Sequence, residues 1–243
     1  MGAGTVTLGR DESRHAGTVL RLRAGDEVTL FDGAGRIADG VVRQVARGTV
    51  RVEADEAAFV PRLAGAELTL FVAMPRAGRQ QSLFEKCTEL GVGRIVPVVC
   101  ERSTVVPKVD AVGKWRRITI EAAKQCGSAW LPEVRPPVSF RDSVAEAAGF
   151  DLSLFGAVGE TPALLQSLAP VSGGGRVAVW IGPEGGLTMD EKAALLAIGA
   201  QPTSLGPLVL RVETAALAAA TAVMLLRGMS SGVAPDAATD GAG

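Results

Sequence analysis

Two hydrophobic periodicities divide the chain. Over residues 27–31, 36–45 and 49–53 apolar and polar positions alternate, and the turn sequences Asp32-Gly33-Ala34-Gly35 and Arg47-Gly48 separate them, which predicts strands joined by glycine turns. Residues 1–65 therefore read as a small all-β unit, closed by the linker Val60-Pro61-Arg62-Leu63-Ala64-Gly65. From Leu68 the period changes. Apolar runs at 68–73, 94–100, 151–155 and 176–181 read as strands, with a last short one ending at Leu205. Between them, residues 80–90 set Leu83, Phe84, Cys87 and Leu90 at helical spacing before Gly91. Residues 111–126 put Trp115, Ile118, Ala122 and Cys126 on one face and Lys114, Arg117, Glu121 and Lys124 on another. A short helix is expected near 162–168, a helix capped by Thr188 with Glu191 three residues on, and an alanine-rich helix from about Val212 to Arg227, stopped by Gly228. Alternating strands and helices imply an α/β domain over 66–229, with a largely parallel sheet covered on both faces. Residues 230–243, rich in Gly, Ala, Ser, Thr and Asp, read as a disordered tail.

Composition narrows the chemistry. At 47% hydrophobic over 243 residues the chain can bury one large core or two modest ones. The longest nearly unbroken apolar run, 215–226, includes Thr221 and is too short to cross a bilayer. Arg10, Asp11, Glu12, Arg14 and His15 precede any apolar stretch, so no signal-peptide pattern opens the sequence and the expected setting is cytoplasmic, away from membrane. Cys87, Cys100 and Cys126 are too few and too far apart for a disulfide framework or a CxxC zinc pair, and read as small core residues. The single histidine, His15, removes HExxH metal sites, and no GxSxG, GxxxxGK or GxGxxG is present. The remaining chemistry works without metal, histidine base or bound triphosphate.

Formal charge nearly balances, 25 basic against 26 acidic residues. By segment it does not: 75–135 carries eleven basic and six acidic side chains, whereas the last 108 residues carry five and ten. Clustered cations draw a polyanion, although a solvated basic surface gives the same count.

Ligands of parallel α/β sheets bind where strands end at their carboxyl side, so the loops after those strands are the places to search. Two are unusual: Ile181-Gly182-Pro183-Glu184-Gly185-Gly186-Leu187-Thr188, and the stretch from Ser204 through Gly206-Pro207 to Arg211, Glu213 and Ala215. Glycines let backbone approach a ligand closely and prolines hold the loop shape, which suits a flat, neutral group such as adenine. Each loop alone is an ordinary glycine-proline turn; the two together, with Arg211 and Glu213 at a helix start, are a combination chance rarely supplies.

The pair IGPEGG-L-T-x-x-E and LGPLVLRVETAALAA closely resembles the signature of the SPOUT methyltransferases, and within them the bacterial family that methylates N3 of a uridine in small-subunit (16S) ribosomal RNA. Three more stretches match: VLRLRAGDEVTLFDG at 19–33, EKCTELGVGRIVPVVCERS at 85–103, and KWRRITIEAAKQCG at 114–127 followed by LPEVRPP at 131–137. The resemblance spans roughly 15–228. It implies an N-terminal PUA-like β-barrel that binds RNA, joined to a SPOUT α/β domain whose C-terminal segment is threaded through a trefoil knot. It also implies S-adenosylmethionine as cofactor, the small ribosomal subunit as partner, and a homodimer through the knot region. The alanines of the last helix suit such a close helix approach, and suit packing within one chain equally well. There are two departures. Relatives begin with a strand of aromatic and arginine residues where this chain reads Met1-Gly2-Ala3-Gly4, so that first element is missing or replaced; and Ser128 stands where relatives commonly have arginine.

Carried over, the cofactor-binding residues are Leu154, Phe155, Ile181, Gly182, Pro183, Glu184, Gly185, Gly186, Leu205, Gly206, Leu210, Arg211, Thr214 and Ala215. Arg211 is the candidate for stabilising the anion that forms when the uridine N3 imide loses its proton; capping loop carbonyls or pairing with Glu213 is its structural alternative. Glu184 and Glu213 are the possible proton acceptors, or else acceptors that shape the loops. Arg21 and Arg23 on the small domain, and Lys86, Arg94, Arg102, Arg117 and Lys124 on the large one, are the candidate RNA contacts. The cofactor loops say little about the acceptor, so ribose 2′-O methylation and a noncatalytic role in RNA binding or ribosome assembly are the alternatives.

Overall fold

A computed structural model describes residues 2–46, 48–159 and 161–231. Two compact units emerge, one running to Arg62 and including Gly127–Trp130, the other starting at Leu63. The expected tail falls outside the described residues except for its first two positions, which are helical.

In the first unit β1 (Gly4–Thr7), β2 (Glu27–Phe31), β3 (Arg36–Ala46), β4 (Thr49–Ala54) and β5 (Ala58–Phe59) form an antiparallel sheet in the order β1-β4-β3-β2, with β5 also beside β3. The strict alternation of β4 points Val50, Val52 and Ala54 inward, where Val50 and Val52 meet Ala16 and Val42. α1 (Arg10–Arg14) follows β1. The sequence therefore does supply a first strand: Gly4–Thr7 pairs with Arg51–Ala54 through backbone alone, which needs no aromatic side chain. Trp130 completes this unit. Its indole N–H donates to the Val60 carbonyl at 2.9 Å, its ring meets Phe59 edge-on, and the Arg62 guanidinium lies 4.3 Å above it. Gly35 makes room for it, since a Cβ there would sit 2.5 Å from Trp130 Cζ2. Ser128 shapes the same turn, its hydroxyl donating to the Trp130 carbonyl and accepting from the Trp130 amide.

The second unit holds β6 (Ala66–Ala73), β7 (Arg94–Val99), β8 (Glu133–Val134), β9 (Val138–Ser139), β10 (Leu152–Gly156), β11 (Gly175–Ile181) and β12 (Gln201–Thr203). All pairings are parallel, in the order β12-β10-β11-β6-β7-β8, with β9 on β7. Its helices are α2 (Ala77–Glu89), α3 (Ala111–Cys126), α4 (Phe140–Ala145), α5 (Leu164–Ser167), α6 (Met189–Ala197) and α7 (Val212–Ser231). One face buries Leu68, Leu70 and Val72 against Phe84, Trp115 and the alanines of α7; the other buries Phe71, Val96 and Trp180. Strands covered on both sides need unbroken apolar runs rather than alternation, as the sequence has.

Three expectations are corrected here. Cys126 is exposed, because the buried stripe of α3 runs through Val112, Trp115, Thr119, Ala122 and Ala123 and turns away from it. β12 ends at Thr203, where Ser204 turns aside: its amide donates to the Pro162 carbonyl and its hydroxyl to that of Gly206. α7 continues past Gly228, since Arg227 is buried and donates to the carbonyls of Ala66 and Gly91, which anchors the helix beyond that glycine. Among the described residues no helix is long and apolar enough to cross a membrane.

Candidate functional site

β11 lies between β6 and β10, and the chain leaves it to form β12 on the far side of β10. The loops after β10, β11 and β12 thus converge at the carboxyl end of the sheet. With the first turn of α7 they enclose a cavity of about 430 Å³, within the range of small-molecule sites. Its walls are Ile181, Leu187, Leu205, Leu210 and Val212, interleaved with glycine backbone; Glu184 is its one charged lining residue among those described. Two wall positions leave little room for a side chain. A Cβ at Gly182 would lie 2.9 Å from Leu187 Cγ, and one at Gly156 would lie 3.1 Å from Leu205 Cδ1.

Local bonds fix the loops. The Gly186 amide donates to the Pro183 carbonyl at 2.8 Å, and Thr188 and Glu191 form the expected capping box at the start of α6. The Ala157 amide donates to the Thr203 carbonyl, and that of Leu164 to Ser204. The turn after β7 joins in: Arg102 Nη1 donates to the Gly185 carbonyl at 3.1 Å, and the buried Glu191 carboxylate accepts from the Glu101 amide at 2.9 Å.

Of the expected cofactor residues, Ile181, Gly182, Pro183, Glu184, Gly186, Leu205, Gly206, Leu210 and Ala215 line the cavity. Gly185 is turned to Arg102. Leu154 and Phe155 do not reach the lining: as successive residues of a buried strand they point into opposite cores, and Gly156 to Gly159, which follow, form the wall. Thr214 is exposed and off the lining. Arg211 is exposed just ahead of α7, where its carbonyl accepts from the Ala215 amide; it forms no ion pair among the described residues. Glu213 does not pair with it. With Val212 and Ala215 on the cavity, the helical step of about 100° turns Glu213 toward α2, where Arg79 Nε lies 3.4 Å from Oε1 while Oε2 is buried without a partner.

The candidate RNA contacts differ in how free they are. Lys86 is held by Glu85 and Glu89, hydrogen bonds that push its pKa up, and Lys124 by Glu121. Arg94 sits at the amino end of β7, the opposite end of the sheet from the cavity, and is tied to Glu133 and Glu146. Arg117 is exposed on α3, in a groove shared with Lys114 and α2. In the first unit Arg21, in a left-handed conformation at φ 55°, and Arg23 are both exposed ahead of β2. The loop after β10, Gly156 to Gly159, was not singled out as part of the site, its only signal being position just beyond a strand end, and neither was Arg79 on α2; Leu187, Leu208 and Val209 lie within the two glycine-proline loops that the sequence marks.

A family model for an RNA methyltransferase domain matches residues 63–224, and one for an RNA methyltransferase PUA domain matches 8–55. The chain is 32% identical over 215 residues to ribosomal RNA small subunit methyltransferase E of Synechocystis, covering 87% of this chain and 70% of that protein. It is similar to the solved structure of a methyltransferase from Legionella pneumophila in complex with the cofactor SAM, at TM-score 0.84 and 30% identity, covering 94% and 93% of the two chains. A ribosomal RNA small subunit methyltransferase E from Neisseria gonorrhoeae bound to S-adenosyl methionine is similar at TM-score 0.81 and 28% identity, covering 93% and 94%. A domain match over most of the chain, and a relative matched along most of its own length, establish that this protein belongs to the RNA methyltransferase family of ribosomal RNA small subunit methyltransferase E.

Proposed function

We propose that the protein transfers the methyl group of S-adenosylmethionine to N3 of a uridine in 16S ribosomal RNA, with the small ribosomal subunit as partner and the cytoplasm as setting. The observation that carries this is the cavity at the ends of β10, β11 and β12: glycine backbone and apolar walls suit an adenosine, and one carboxylate, Glu184, suits a cationic sulfonium. When bound, the cofactor supplies an activated methyl group for in-line displacement. The chain supplies position and charge. Leu187, Leu205 and Leu210 exclude water, and the loop amides and carbonyls hold the ligand's polar edge. Arg211, exposed between the lining residues Leu210 and Val212 and without an ion pair among the described residues, stabilises the charge that builds on the base carbonyls as N3 gives up its proton, with Glu184, the one of the two carboxylates that lines the cavity, to receive it.

Two further features belong to the same reading. The segment after β12 is bonded through Ser204 to Pro162 and Leu164 before α7 returns to pack on β6 and α2, a route that favours a trefoil knot despite its rarity. Leu208, Val209 and Val158, exposed at the cavity rim, favour cover by a second copy in a homodimer.

The test has two arms. Nucleoside mass spectrometry of ribosomal RNA from cells with and without the protein is expected to lose 3-methyluridine on deletion; an unchanged level overturns the acceptor. Arg211→Ala is expected to bind S-adenosylmethionine in calorimetry while turnover falls about 100-fold or more, the usual loss of one preorganised donor; absence of binding in the wild type supports a noncatalytic RNA-binding protein.

A further inference from the structure

Arg102 differs from three of the other candidate RNA contacts. Lys86, Arg94 and Lys124 each face a carboxylate, whereas the partner of Arg102 is a neutral carbonyl. A guanidinium has five N–H donors, and among the described residues only Nη1 of Arg102 is engaged. It forms no ion pair among the described residues, it is exposed, and it stands at the carboxyl end of β7 beside a loop that borders the cavity.

The attachment to that loop is built rather than incidental. The arginine stem runs along the Gly185 backbone, close enough that a Cβ on Gly185 would lie 3.3 Å from Arg102 Cβ and 3.5 Å from Cδ. Glu191 ties the same two segments a second time, one carboxylate oxygen accepting from the Glu101 amide at 2.9 Å and the other from the Thr188 amide at 2.8 Å. The turn itself is closed by the Ser103 hydroxyl, which accepts from the Cys100 amide. Gly185 lies between Glu184 and Gly186, both of which line the cavity. Anything that fixes the 182–186 loop therefore fixes the carbonyl to which Arg102 is bonded.

We propose that Arg102 couples the two substrates: its guanidinium holds the Gly185 carbonyl of the cofactor loop and a phosphate of the RNA at once, so that each ligand tightens the binding of the other. The inference rests on the function proposed above. A filled cavity restricts what motion the bonded loop retains and with it that of the guanidinium, and RNA that binds a more restricted cation loses less entropy on binding. Linkage makes the effect reciprocal. A phosphate on this residue adds about one unit to the salt dependence of RNA binding.

The experiment measures binding of unmodified 16S ribosomal RNA, transcribed in vitro, to the full chain with and without saturating S-adenosylhomocysteine, over a series of salt concentrations. The wild type is expected to bind RNA about fivefold or more tightly when the nucleoside is present, the lower end of common coupling factors. Arg102→Ala is expected to lose that dependence, to bind RNA more weakly, and to show a salt slope smaller by about one. Arg102→Lys keeps the charge but not the planar fork, so it should retain most of the salt slope and lose the coupling. Equal RNA affinity with and without nucleoside in the wild type, or unchanged coupling in Arg102→Ala, overturns the proposal. Failure of the nucleoside to bind at all is a separate result in direct calorimetry; it overturns the parent reading and the coupling with it.

Discussion

Gly182→Ala tests whether the cavity wall is as rigid as its contacts imply. The added methyl would stand 2.9 Å from Leu187 Cγ, 3.0 Å from Cδ2 and 3.3 Å from its amide nitrogen, well inside the optimum carbon separation of about 3.5–4.0 Å. Leu187 cannot retreat as a unit, because it is 5% exposed and the next residue, Thr188, is locked in the capping box of α6. Its side chain must swing, and the open side is the cavity. Overpacking of this kind costs about 1–3 kcal/mol, and in a protein of this size each kcal/mol lowers the melting temperature by about 2–4 °C. A side chain displaced into the binding space should also weaken S-adenosylhomocysteine binding by about tenfold, or 1.4 kcal/mol. Gly199→Ala is the control. Gly199 has φ +81° and open space around it, so alanine there brings backbone strain of about 1 kcal/mol without touching the cavity. Thermal melts and calorimetry on both variants separate the effects: both should melt lower, and Gly182→Ala alone should lose affinity. Wild-type affinity in Gly182→Ala would refute the rigid wall, and a parallel loss in Gly199→Ala would show that affinity merely follows global stability.

Two more predictions concern titratable groups. Burial pushes the thiols of Cys87 and Cys100 up to about 12, with the field of Glu191 adding to it at Cys100, while Cys126 is exposed; iodoacetamide at neutral pH should label the native protein once, at Cys126, and three times in denaturant, as read by intact mass. For Glu133 burial acts upward, but the guanidinium groups of Arg135 and Arg94 prevail and hold its carboxyl below the usual value. A folded pKa below the unfolded one adds stability that is present above the unfolded pKa, about 4.3, and is lost as pH falls through the folded value. Melting curves of Glu133→Gln and wild type should therefore differ at pH 7 and converge as the pH falls below the usual carboxylate range; a difference that persists in strong acid would rule out the ion pair as its cause.

Legibility followed the range of the interaction. Repeating patterns confined to one element were readable: residues 27–31 and 111–126 coincide with β2 and α3, and Thr188 caps α6 with Glu191 as its spacing implies. Errors arise where a distant residue decides the outcome. Gly228 carries a local stop signal for α7, but Arg227 is bound to carbonyls of Ala66 and Gly91, more than a hundred residues earlier. Cys126 has the right spacing for the inner face of α3, and only the position of the sheet reveals that the stripe has rotated past it. Trp130, directly before a stretch of the second unit, is claimed by Gly35, Phe59 and Val60 of the first, which no local pattern encodes.

The site obeys the same rule with one refinement. Both glycine-proline loops were visible because a ligand-bearing loop must replace side chains by backbone, and glycine writes that requirement directly into the sequence. The loop after β10 does the same work with Gly156-Ala157-Val158-Gly159, yet escaped notice. Its role depends on β10 lying between β11 and β12, an adjacency set by strand order rather than by any residue within the loop. Glu213 is the converse case. A carboxylate two residues from Arg211 suggests a shared site, but the turn of one helical residue after Val212 sends it to Arg79 on α2 instead. Proximity in sequence thus identified the segment that carries the chemistry, whereas the direction of each side chain within it was decided by helix phase, and phase is fixed only when α7 has found β6 and α2 to pack against.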